Sequence, residues 1–143
     1  MTFGRLATTS GSEMAHYLDT SALVKLIVSE RESAALRSWL TQDEREPVTS
    51  DLARTELMRA VRRIAPDLAV RARQVIDAMH VLSLTTETYD SAARLDPPIL
   101  RTLDALHLAS ALEIGSDLDA MIVYDERLSQ AAHGYGIPTL APS

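Results

Sequence analysis

From Ala15 onward, apolar and polar positions follow a punctuated order that predicts short strands separated by amphipathic helices. The run AHYL leading into Asp19 reads as a first strand. Helical periodicity follows over 21–28 and 32–40, then a second strand over 46–49. Ser50 or Asp51 can cap a helix reaching Ile64, and Pro66 interrupts that pattern. Residues 67–79 read as another helix and 81–84 as a β-rich run. Residues 86–95 look helical, Pro97-Pro98 breaks the chain, and an Ala/Leu-rich stretch predicts a helix over 102–114 ended by Gly115. A strand of buried type over 120–124 (AMIVY), a helix over 126–132 and a short strand over 137–140 complete the order. Such alternation predicts an α/β domain with a mainly parallel sheet of about five strands and helices on both faces. In such sheets ligands bind beyond the carboxyl ends of the strands. Asp19 and Asp125, read as ending the first strand and the AMIVY strand, are therefore the first candidates.

The leading stretch 1–13 (MTFGRLATTSGSE) lacks this periodicity and is read as a tail preceding a single domain over 14–143, with Met14 as a candidate native start. The whole chain has 143 residues, a length suited to one core. Cysteine is absent, which excludes a disulfide framework, a thiolate zinc site, an iron–sulfur cluster and a cysteine nucleophile. No apolar run nears the roughly 20 residues of a membrane span, and no secretory leader is evident, so a cytoplasmic protein without a membrane partner is expected. The formal charge of −6 argues against binding nucleic acid through diffuse positive charge alone.

Two more carboxylates belong at the strand edge. Glu56 falls in the second turn of the helix after the second strand, at the border of its apolar stripe. Its plain structural reading is a surface partner for Arg59 or Arg63. Asp104 opens a helix (LDALHLASALEI) in which Glu113 is the only other formal charge. Its plain reading is placement at the positive end of the helix dipole, with Thr102 or Asp104 as cap. Against that stands the cost of a carboxylate in apolar company, several kcal/mol unless compensated. Asp19 and Asp125 taken singly read as capping aspartates. Four together mean something else: crowded carboxylates take up protons unless a cation sits among them. Oxygen donors without thiolate suit Mg²⁺ or Mn²⁺, which can activate a water and neutralise charge on a phosphodiester.

The stretches YLDTSALVKL, TSDLARTELMRAVRR, LRTLDALHLASAL and IVYDERLSQAA, in that order and spacing, resemble the PIN-domain ribonucleases, specifically the VapC-type toxins of toxin–antitoxin pairs. The resemblance runs from Tyr17 to about Leu140. It implies a Rossmann-like α/β/α fold and places the metal-binding acids on Asp19, Glu56, Asp104 and Asp125, with the Thr20 and Ser21 hydroxyls beside the first. It further implies Mg²⁺- or Mn²⁺-dependent hydrolysis of an RNA substrate by a metal-activated water, leaving a 5′-phosphate and a 3′-hydroxyl. A cognate VapB-type antitoxin is the implied inhibitor, delivering an Arg or Lys into the acidic pocket, and a homodimer is expected through apolar helix surfaces.

Between 54 and 73, six arginines face Glu56 and Asp67, a local +4 that leaves −10 elsewhere. Solvated helix faces often look like this. Functionally, Arg59 and Arg63 can line an RNA path, and Arg101 and Arg127, close in sequence to site acids, can contact phosphate. His107 is read as core packing with an option to support the site. His16, His80 and His133 show no ligand spacing, and Lys25 is expected to face solvent. GxGxxG, GxxxxGK[ST] and GxSxG are absent, which removes dinucleotide, P-loop and α/β-hydrolase readings. A haloacid-dehalogenase-type phosphatase needs D-x-D, whereas Asp19 is followed by Thr20 and Ser21. A receiver-like phosphoacceptor is disfavoured because its Asp follows a central strand, and 81–84 is followed here by Thr85. A non-catalytic PIN module that binds RNA or protein is the remaining rival.

Overall fold

A computed structural model describes residues 15–143; the stretch read as a tail, with Met14, lies outside the described residues. Five strands form one sheet: β1 (Ala15–Leu18), β2 (Glu46–Ser50), β3 (His80–Leu82), β4 (Leu118–Ile122) and β5 (Thr139–Leu140). Their order is β3-β2-β1-β4-β5 and every pairing is parallel. The helices between them are α1 (Thr20–Ile27), α2 (Ser33–Gln42), α3 (Leu52–Ile64), α4 (Ala69–Asp77), α5 (Thr86–Ala93), α6 (Thr102–Ile114) and α7 (Glu126–Gly134).

Strand alternation sends side chains to two cores. Tyr17, Val48 and Met121 pack with Leu108, Ala111, Leu128 and Ala131 of α6 and α7. Leu18 and Ile122, one position on, pack with Leu23, Leu36, Leu57 and Ile76 of α1 to α4. Burying each large aliphatic side chain contributes about 1.5–3 kcal/mol, and all four residues of β1 are buried, His16 included, because β1 is the central strand and is covered on both faces. The chain builds outward from β1 through β2 to β3, then crosses back to β4 and β5 on the other side. The order reverses at β1, and a crevice opens there beyond the carboxyl ends of β1 and β4.

The strand boundaries differ from the sequence pattern for identifiable reasons. The AMIVY strand starts and ends two residues early, at Leu118–Ile122, because Leu118 already pairs with Ala15 of β1, and both β1 and β5 end opposite Ile122. Asp125 therefore lies three residues beyond β4. Pro138 has no N–H to donate, which shortens the last strand to Thr139–Leu140. The third strand is His80–Leu82 and not 81–84, because β2 ends at Ser50 and the Leu84 N–H turns to Asp51 Oδ1. That bond uses the carboxylate expected to cap α3, and α3 has no side-chain cap. β3 also lies at the sheet edge, whereas the central strand is β1, followed by Asp19. Strand position thus gives no argument against a receiver.

Candidate active site

Four of the helices that start toward the carboxyl edge of the sheet, α1, α3, α6 and α7, each bring one acid. Asp19 is the N-cap of α1 and accepts from the Ala22 N–H at 3.1 Å. Asp125 is the N-cap of α7 and accepts from the Leu128 N–H at 3.0 Å. Asp104 sits in the first turn of α6 and Glu56 in the second turn of α3. The capping reading of Asp19 and Asp125 is thus correct and does not compete with a site: capping is how the chain aims them. Neither Thr102 nor Asp104 caps α6, whose N-cap is Arg101 without a side-chain bond. The positive ends of the α1, α6 and α7 dipoles offset part of the charge gathered there.

All four acids line one groove of 620 Å³, with Thr20, Ser21, Lys25, Arg63, Arg101, His107 and Tyr124 among its other walls. In each carboxylate the protein's hydrogen bonds fall on a single oxygen. Asp19 Oδ1 accepts from the Ser21 hydroxyl at 2.8 Å as well as from Ala22. Glu56 Oε1 accepts from the Thr20 hydroxyl at 2.6 Å and from His107 Nε2 at 2.6 Å. Arg101 Nε donates to Asp104 Oδ2 at 2.9 Å, and Leu128 holds Asp125 Oδ2. The second oxygen of each carboxylate is left without a protein partner among the described residues. The acids share a groove without closing on a point: among the described residues no three acidic or histidine side chains form a ready metal cage.

Asp19 is 4% exposed, and burial pushes its pKa above the ordinary carboxylate value despite the opposing charge of His107 and the two hydrogen bonds. Glu56 goes the other way. Burial pulls its pKa upward, but the hydrogen bonds from His107 and Thr20 outweigh that and lower it. Glu56 is thus held ionised, and its partners are Thr20 and His107, with no ion pair to the expected Arg59 or Arg63.

The remaining expectations divide. Thr20 and Ser21 each hold a site acid. Arg63 and Arg101 line the groove, and Arg59 lines an adjoining cavity of 930 Å³ that shares Thr20, Glu56, Ala60 and Arg63 with it. Arg127 is exposed and is not among the groove residues. Lys25 does not face solvent freely: its ammonium reaches Glu30 at 3.4 Å and Glu32 at 3.0 Å and lies 4.8 Å from the centre of the Tyr124 ring. His107 is more than core packing, because both ring nitrogens are engaged, Nδ1 by the Tyr17 hydroxyl at 2.7 Å. The sequence signal for it was present, a lone imidazole on an apolar helix one turn after Asp104. No local signal pointed to Tyr17, which reads as one more β-strand aromatic. His16, His80 and His133 make structural contacts with Asp119, Glu46 and Thr139.

A PIN-domain family model matches residues 16–134. The chain is 42% identical over 130 residues to ribonuclease VapC47 of Mycobacterium tuberculosis (strain CDC 1551 / Oshkosh), covering 88% of this chain and 96% of that protein. It is 43% identical over 128 residues to ribonuclease VapC46 of M. tuberculosis H37Rv, covering 89% and 97%. Among solved structures, M. tuberculosis VapC20, described as a toxin cleaving the sarcin–ricin loop, superposes with a TM-score of 0.72 at 19% identity, over 89% of this chain and 99% of that one. VapBC2 of Rickettsia felis, solved with a DNA fragment from its promoter, superposes with a TM-score of 0.68 at 12% identity, over 91% and 100%. At those identities the two structures speak for the fold alone.

Proposed function

This chain belongs to the PIN-domain family, among the VapC ribonucleases, and on that premise we propose that it is a Mg²⁺- or Mn²⁺-dependent endoribonuclease acting as the toxin of a toxin–antitoxin pair. The observation that carries the metal reading is the groove itself: four carboxylates aimed by four helix starts, each pinned by one oxygen with the other unpaired. Hard oxygen donors, no thiolate, and a buried Asp19 whose ionisation is costly fit a divalent cation well. Asp19, Glu56, Asp104 and Asp125 would hold it. When bound, such an ion supplies Lewis-acid polarisation of the phosphodiester and an activated water nucleophile. The chain's own side chains do the rest. Thr20 and His107 keep Glu56 ionised and oriented, and Ser21 orients Asp19. Arg63, with Arg59 and Arg62 in the adjoining cavity, offers cations one helical turn apart to backbone phosphates, which answers the repulsion between RNA and a net charge of −6.

A VapB-type antitoxin is the proposed partner. An acidic groove accepts a guanidinium by bidentate, charge-assisted bonds. Arg101 already makes a one-bond version of that contact with Asp104. Ile64 in the groove and Leu103 in the adjoining cavity are 48% and 47% exposed, so apolar surface is available beside the acids for a helix of the antitoxin or of a second copy.

The test is RNA cleavage with Mg²⁺ or Mn²⁺, abolished by EDTA and by Asp19→Asn or Asp104→Asn in variants whose circular dichroism matches wild type. Full-rate cleavage in EDTA or in either variant overturns the metal mechanism. The rival reading, a non-catalytic PIN module that binds RNA or protein, requires RNA binding without metal-dependent cleavage.

A further inference from the structure

We propose that Tyr17 and His107 form a buried positioning arm that fixes Glu56 through Oε1, presents Oε2 to the groove, and thereby sets how tightly the site holds a divalent cation. The inference rests on the proposed metal-dependent function, and its test separates the two.

The arm begins at the end of β2. The Tyr17 hydroxyl lies 3.1 Å from Ser50 Oγ and 2.7 Å from His107 Nδ1. The Tyr17 and His107 rings meet edge-on with centroids 5.8 Å apart. His107 Nε2 then reaches Glu56 Oε1 at 2.6 Å, and Thr20 Oγ1, 3.3 Å from the same nitrogen, donates to the same carboxylate oxygen. Because an ionised carboxylate only accepts, Nε2 carries the hydrogen in this contact.

Core packing does not account for this arrangement. Tyr17 and Ser50 are fully buried and His107 is 2% exposed. Phenylalanine at 17 and leucine at 107 would fill the same space without polar groups to desolvate, and buried polar groups are costly unless paired. Here each is paired, and the chain of pairs ends on one oxygen of one site acid. Glu56 is only half-buried on a flexible side chain, and ordering such a side chain costs conformational entropy. The arm meets that cost during folding, before a cation arrives. Imidazoles held at both nitrogens are fixed in ring orientation, and partners behind a metal ligand tune affinity through the ligand they hold. Tyr17 lies two residues before Asp19, so one strand end places the buried acid directly and Glu56 through the arm.

The experiment measures Mn²⁺ binding to RNA-free protein by calorimetry, alongside melting temperature and cleavage kinetics. His107→Leu weakens Mn²⁺ binding by about 10- to 100-fold. His107→Gln, which retains a donor able to reach Glu56, recovers part of that, and Tyr17→Phe costs about fivefold, the equivalent of one net hydrogen bond. Cleavage by these variants returns as Mn²⁺ is raised, with KM for RNA unchanged. In a Glu56→Gln background, His107→Leu causes no further loss of affinity. Leu108→Ala, which opens a cavity in the same helix, lowers the melting temperature and leaves Mn²⁺ affinity intact. If His107→Leu does not fold, His107→Gln and Tyr17→Phe decide the matter. Wild-type Mn²⁺ affinity in folded His107→Leu or Tyr17→Phe overturns the arm while leaving the metal-dependent nuclease standing. No Mn²⁺ binding by wild type overturns both.

Discussion

The inner and outer halves of the groove hold their carboxylates by different means. Asp19 and Glu56 are fixed from behind: Asp19 is buried with two hydrogen bonds on one oxygen, and Glu56 is locked between Thr20 and His107. Asp104 and Asp125 form the outer half. Asp104 is held by Arg101, whose side chain is 69% exposed, and Asp125 by a single cap N–H. An exposed ion pair contributes about 0–1 kcal/mol and exchanges readily with solvent and other ions. The inner half is therefore organised at the cost of folding, and the outer half can change partners when metal, RNA or an antitoxin arginine arrives. Under the proposed function, a site that binds metal and yields to an inhibitor would use both kinds of acid.

The largest test of this contrast is catalytic. Asp19→Asn or Glu56→Gln should lower kcat/KM for RNA by roughly 10²–10³ or more, the scale of removing a transition-state charge contact, whereas Asp125→Asn should cost clearly less. Equal losses at Asp19 and Asp125, measured at saturating metal, would erase the distinction between halves.

Stability gives the next largest effect. Burial raises the Asp19 pKa above its unfolded value, so the native state binds more protons than the unfolded chain in the intervening pH window. The penalty is fully present above the folded pKa and is relieved as pH falls through it. Metal-free Asp19→Asn should therefore melt a few degrees above wild type near neutral pH, and the gap should narrow in mild acid. Asparagine keeps an oxygen to accept from Ala22, so the cap is preserved. A variant that melts lower than wild type without metal, or a gap independent of pH, counts against a strained inner acid.

The smallest effect belongs to Arg101. Arg101→Ala frees Asp104 Oδ2 and should raise Mn²⁺ affinity by up to about fivefold, in keeping with an exposed pair. Titration calorimetry would show this, and a loss of affinity would mean that Arg101 organises the outer half instead of competing for it.

Much of the fold was readable along the chain because its causes are local. The helix over Thr102–Ile114 and its stop at Gly115, which has φ of 69°, follow from composition and from a backbone angle that favours glycine. The aspartates after β1 and before α7 were legible as caps, and capping is what aims them. Strand ends were less legible, because a strand ends where its neighbour does: β4 stops with the two-residue β5 and β3 with Ser50. Nothing in the run of residues told that 80–82 would be an edge strand or β1 the centre, since strand order is settled by crossovers that bury both faces of the sheet. Glu56 shows the division most clearly. Periodicity put it at the border of an apolar stripe and suggested arginines on its own helix as partners. Its actual partners come from α1 and α6, 36 and 51 residues away. Sequence by itself determined where Asp19, Asp104 and Asp125 stand relative to their helices, because helix starts are written in neighbouring residues. Only the tertiary structure decided which oxygen of Glu56 is bound and which is left open, because that depends on side chains from distant segments meeting at the groove wall, whereas Asp19, Asp104 and Asp125 are each held by residues within three positions.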